Sequence, residues 1–102
     1  MIIKHIEFVK EWLADESSKT QAQLEVNARA AAVSADANEA FKEYSNAVTA
    51  LRAYGHCTTL VTVSREARAV SAAINASRVA VDLDRPAAKH WVKRYEELTN
   101  DN

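Results

Sequence analysis

The chain has 102 residues, with 13 Lys/Arg against 14 Asp/Glu and a net charge of −1. One domain spanning residues 1–102 is therefore the ceiling, and no global field draws the molecule to nucleic acid or membranes. One Gly, one Pro and 20 alanines exclude a sheet built on tight hairpin turns and favour helix.

Three further exclusions follow from residue types. A lone cysteine, Cys57, leaves no internal disulfide framework and fits a reducing, cytoplasmic setting. The apolar runs fall far short of the roughly 20 residues of a membrane span. The opening Met1-Ile2-Ile3-Lys4-His5-Ile6-Glu7 lacks the apolar stretch of a signal peptide.

Ile2, Ile6, Val9 and Leu13, with Ile3 and Trp12 beside them, form one apolar stripe and predict an amphipathic helix over residues 3–15. Asp15-Glu16-Ser17-Ser18 breaks it, and Ser18 with Gln21 has capping-box spacing for a restart at 18. No Gly or Pro lies between Ser18 and Tyr54, and Gly55 is a natural C-cap. A single second helix over 18–54 is predicted, with a seam of Val26, Ala30, Val33, Ala37, Phe41 (or Ala40), Tyr44, Val48 and Leu51. At 1.5 Å per residue it would run roughly 54 Å, longer than the roughly 35 Å diameter of a compact chain this size. The expectation is a kink, or an elongated molecule whose long helix is shared with a partner.

Thr58–Val63 looks like a strand, since β-branched residues suit one, but no second strand exists to pair with it. Leu60, Val63, Ala67, Val70, Ile74, Ser77 and Val81 repeat at three and four, which predicts a third helix over 59–81, with a start at Ser64 as the alternative. Asp82–Pro86 is the last break. Pro86 suits a first turn, with Asp84 or Arg85 as cap. Ala88, Trp91, Val92, Tyr95 and Leu98 then form the apolar arc of a fourth helix over 85–99.

Chemistry-bearing residues are sparse. His5, His56 and His90 are scattered, Cys57 has no Cys-x-x-Cys partner, and no metal or cofactor is expected. Asp36, Glu39 and Glu43 read as a solvated acidic face. His56 and Cys57 are adjacent, so their side chains point apart, and phosphate-cradling loops need several glycines. Enzymatic activity is not expected.

Residues 65–94 hold seven basic side chains against Glu66, Asp82 and Asp84. Within this region Val81–Tyr95 resembles the second half of a bacterial helix-turn-helix. It has a turn residue (Asp82), an apolar one (Leu83), a polar cap, then a helix ending Trp91-x-x-x-Tyr95. The resemblance implies that Arg85, Lys89, His90, Lys93 and Arg94 face the groove and phosphates. Arg78 departs from the pattern, standing where a small residue of the first helix packs. The charges favour a solvated face instead, with Lys93 pairing to Glu96 or Glu97.

The expected architecture is all-α, an elongated four-helix arrangement around a long helical hairpin. Trp12 and Trp91 are expected to pack the shorter helices over its ends. The expected function is protein–protein interaction: a small, homodimeric adaptor, regulator or inhibitor that docks on a larger partner, of a size common among bacterial and phage-encoded regulators. Its expected interface is Val33, Ala37, Phe41, Tyr44, Val48 and Leu51. The alternative is a DNA-binding regulator acting through residues 82–95.

Overall fold

The computed structural model describes residues 2–54 and 63–100. These form α1 (Ile2–Ala14), a one-turn 3-10 segment (Glu16–Ser18), α2 (Gln21–Ala32), α3 (Ala35–Tyr54), α4 (Arg65–Val81) and α5 (Arg85–Thr99). No strand occurs among the described residues, and the molecule measures 49 × 29 × 21 Å. The all-α class and the elongation both match the sequence expectation. The reading of residues 58–62 as helix or strand, and that of His56 and Cys57, lie outside the described residues.

The core is organised around α4, which packs against α1, α2, α3 and α5. Ala67, Ala69, Ala72, Ala73, Ala76 and Ala80 are all buried on it, with Ile74 and Ser77. Small side chains on nearly every side let four helices approach one axis closely. The bulk that fills the space between them comes from the neighbours: Ile2, Ile6, Val9 and Trp12 from α1, Leu24 from α2, and Val92, Tyr95 and Leu98 from α5. Trp12 sits near one end of the bundle, as expected, whereas Trp91 is half-buried along the side of α4.

The predicted 18–54 helix is two helices, broken at Val33-Ser34. The reason lies in one hydroxyl. Ser34 Oγ donates to the Ala31 carbonyl at 2.8 Å and accepts from the Ala37 amide at 3.1 Å, so it closes α2 and caps α3 at once. Serine competes with the helical backbone in this way without help from Gly or Pro. The bend brings Asp36 back to the start of α1, where its carboxylate accepts from the Ile2 amide at 2.8 Å.

The α2 seam also differs from its prediction. Val26 and Val33 are 66% and 74% exposed, and the buried stripe is Leu24, Asn27, Ala28 and Ala31. Both stripes have helical spacing, and the one carrying leucine went inward. The helix starts later than predicted, at Gln21, because Thr20 and Gln23 rather than Ser18 and Gln21 make the capping box. Before it, Asp15 caps the 3-10 turn, and hydrogen bonds from the Ser17 hydroxyl and amide hold its carboxyl below the usual range.

The third predicted helix begins at the later alternative: Ser64 caps α4 by accepting from the Ala67 amide. Asp84 caps α5 through the Ala87 amide, with Pro86 in its first turn as predicted. At the far end, Arg65 donates to the carbonyls of Glu97, Leu98 and Asn100 at 2.7, 2.7 and 3.2 Å. A cation there satisfies orphan carbonyls and complements the C-terminal dipole of α5. Three residues join the other ends of these helices, so α4 and α5 lie antiparallel side by side.

Ala73 is fully buried on α4, the helix that four others pack against. Ala73→Leu should therefore overpack the core and cost about 1–3 kcal/mol, measured by urea denaturation. Tyr95 gives a second test, because burial first, then the charges of Asp36 and Glu7, push its phenol above the ordinary 10.0. As pH rises the unfolded chain loses this proton before the folded one does. Stability contributed by neutral Tyr95 is whole below the unfolded value and falls as pH climbs towards the raised folded value. Urea midpoints taken from about pH 9 to about pH 11 should drop more steeply for the native chain than for Tyr95→Phe.

Candidate functional site

Three surface regions are candidates for a site: the outer row of α3, the basic side of α5, and a groove between α1 and α2. On α3, Phe41 and Val48 are 52% and 46% exposed, while Tyr44 and Leu51 are half-buried. The last polar tie from α3 to another element, among the described residues, is Glu43. Its carboxylate accepts from the Ser64 amide and hydroxyl at 2.7 and 2.9 Å. Since Ser64 caps α4, residues 44–54 of α3 run on past that helix's start.

The other two interface residues read from sequence part company here. Ala37 is fully buried in the core. Val33 lies exposed at the α2–α3 bend, away from the α3 row.

The basic residues of the helix-turn-helix resemblance also separate. Arg85 turns inward: it donates to the Leu13 carbonyl at 3.0 Å, pairs with Glu16 at 2.8 Å and lies over the Trp12 ring. Lys89, His90, Lys93 and Arg94 are exposed, with His90 edge-on to Trp91. The expected pairs of Lys93 with Glu96 or Glu97 do not form among the described residues; Glu96 instead takes Lys10 of α1 at 3.2 Å. That bond and charge raise the Lys10 ammonium above its ordinary value.

The backbone departs from the motif too. Asp82 has φ −83°, and the left-handed position falls on Leu83 at φ 59°. An antiparallel α4–α5 pair is not the roughly 90–120° crossing of a helix-turn-helix.

The third region was not read from the sequence. His5, Asn27 and Ser77 form a polar chain across three helices. The Nδ1 of His5 donates to Asn27 Oδ1 at 2.8 Å. The Asn27 amide nitrogen donates to the His5 carbonyl at 3.3 Å and to Ser77 Oγ at 3.4 Å, and Ser77 Oγ donates on to the Ala73 carbonyl at 3.0 Å. Asn27 and Ser77 are the buried polar residues among those described. Above them lies a groove of about 420 Å³ between α1 and α2, walled by Phe8, Val26 and Ala30. The sequence signal was present. Ser77 stood on the apolar seam, and Asn27 fell one turn from Leu24 and Ala31.

No protein-family model, curated protein or solved structure matches this chain. No helix among the described residues is long and apolar enough to cross a membrane.

Asn27 ties the three helices together, and its loss strands the His5 Nδ1 donor and the His5 carbonyl. Asn27→Ala should cost about 2 kcal/mol, whereas Ser77→Ala, which removes one weak partner, should cost about 1 kcal/mol or less. Urea denaturation of the two variants measures the difference.

Proposed function

We propose that this protein is a helical protein-interaction module that acts by docking rather than catalysis, and that its first partner is a second copy of itself. The observation that carries the reading is the uncovered apolar row of α3, with Phe41 and Val48 each about half-exposed. Phe41, Tyr44, Val48 and Leu51 follow three-four-three spacing, the seam of a two-helix pair. Isolated exposed hydrophobics are ordinary on a surface. A heptad row on a helix running past its own neighbour is the pattern of a helix awaiting a partner.

In an antiparallel pair about a two-fold axis, Phe41 meets Leu51 of the second copy and Tyr44 meets its Val48, and the same contacts repeat by symmetry. The aromatic pair Phe41 and Tyr44 supplies the large rigid anchors that interfaces favour.

The DNA-binding alternative finds less support, because Arg85 is occupied within the fold and α4 and α5 run antiparallel.

Sedimentation equilibrium at tens of micromolar should give a mass about twice 11.3 kDa. The double variant Phe41→Glu, Val48→Glu should sediment as the monomer with an unchanged far-ultraviolet spectrum, since both side chains are half outside the fold already. A native chain that is monomeric throughout, or a double variant that still dimerises, would defeat the reading.

A further inference from the structure

The groove between α1 and α2 has an unusual hydrogen-bonding inventory. Its lining is mostly apolar, with Phe8 on one side and Ala22, Val26 and Ala30 on the other. Four polar side chains join them: Lys4, His5, Gln23 and Asn27. Each has a fixed set of donors and acceptors, and much of that set is already used inside the protein.

Each amide oxygen already accepts one hydrogen bond inside the protein. Gln23 Oε1 accepts from the Thr20 amide in the α2 capping box at 2.8 Å. Asn27 Oδ1 accepts from His5 Nδ1 at 2.8 Å. The Asn27 amide nitrogen is spent on the His5 carbonyl and Ser77.

What remains is donating, save for one ring nitrogen of His5. Gln23 keeps its amide N–H groups, and Lys4 is exposed and forms no ion pair among the described residues. His5, whose Nδ1 already carries a proton towards Asn27, has Nε2 left. With the proton on Nδ1, that ring nitrogen is an acceptor. No acidic residue lines the groove. Lys19, paired with Glu11 at 3.4 Å, stands at its Phe8 edge with its ammonium 4.5 Å from the ring centre.

A trough of apolar walls with an unpaired lysine ammonium and amide donors at its rim matches one chemistry. We infer that the α1–α2 groove binds an apolar monocarboxylate, a free fatty acid of medium chain length. Its hydrocarbon chain lies along Phe8, Ala22, Val26 and Ala30. Its carboxylate meets the Lys4 ammonium, with the Gln23 amide as a further donor. The volume, about 420 Å³, falls within the roughly 300–1,000 Å³ of small-molecule sites. From Ala22 to Ala30 the α2 wall runs two turns, about 12 Å. The site lies apart from the α3 row and does not depend on dimerisation.

The probe is sodium decanoate below its micelle-forming concentration, titrated calorimetrically into the full chain. Saturable binding of one decanoate per chain is expected. Decyltrimethylammonium, with the same hydrocarbon chain and the opposite charge, should bind at least about tenfold more weakly. Lys4→Glu should weaken decanoate by about tenfold or more, and Val26→Asp should abolish binding. Both positions are exposed, and far-ultraviolet spectra of the variants check that the fold is kept.

Absence of saturable decanoate binding overturns the proposal. So does equal binding of the cationic analogue, a comparison made on the native chain alone. A Lys4→Glu variant within about twofold of native overturns the assignment of the carboxylate. Tight binding of an acidic amphipathic peptide in place of decanoate would give the groove to a protein helix, and also overturns it.

Discussion

How closely helices can approach α4 governs the rest of this fold. A helix that touches four others cannot carry large side chains on every side, because the interaxial distance is set by what lies at the contact. Alanine meets that demand with the best helix propensity and no side-chain entropy to lose. The cost is that alanine contributes little buried area of its own, and the chain compensates by placing Ile, Val, Trp, Leu and Tyr on the surrounding helices. Apolar volume is thus concentrated on α1 and α5. Much of α3 has little left with which to anchor itself to the core.

That division accounts for the two uncovered surfaces. Where α3 runs past the N-terminus of α4 it loses the partner that made small residues sufficient, and Val48 stands in the open, with Phe41 exposed just before that point. On α2 only one of two apolar stripes can face α4. The stripe containing Leu24 does so, and Val26 and Val33 are left outside. A chain with two apolar stripes on one helix is either wasteful or has a use for both. Here one stripe forms a core wall and the other a groove wall.

Much of the fold was legible because periodicity and caps agree. The helical class, the apolar arcs of α1 and α5, the Asp84–Pro86 start and the Ser64 alternative could all be read from residue spacing. The Val33-Ser34 break could not be read by searching for Gly and Pro, because a serine hydroxyl serving as donor to one helix and acceptor for the next leaves no breaker in the sequence. The inward stripe of α2 was misread for a different reason. Val26 and Leu24 both begin valid three-four patterns, and only the position of α4 chooses between them. The site was less legible than the fold. Ala37 belonged to the seam by spacing and to the core by contact, while Arg85 looked like a surface cation until Trp12, Leu13 and Glu16 were seen around it. The His5–Asn27–Ser77 chain draws one residue from each of three helices, and no local pattern reports such a meeting.

The clasp of Arg65 on the end of α5 bears on how the chain assembles. A loop of three residues joins α4 to α5, so the entropy of closing that hairpin is small. Its far end is then locked by hydrogen bonds spanning only 32 to 35 residues. Contacts from α1 to α5 reach across 72 and 86 residues and require most of the chain to be gathered first. Topology therefore makes the α4–α5 hairpin less costly to close than the α1–α5 contacts. The hairpin also carries the alanine-lined surface that α1, α2 and α3 need, so the helix that these elements share gains its first partner from the stretch of chain directly after it.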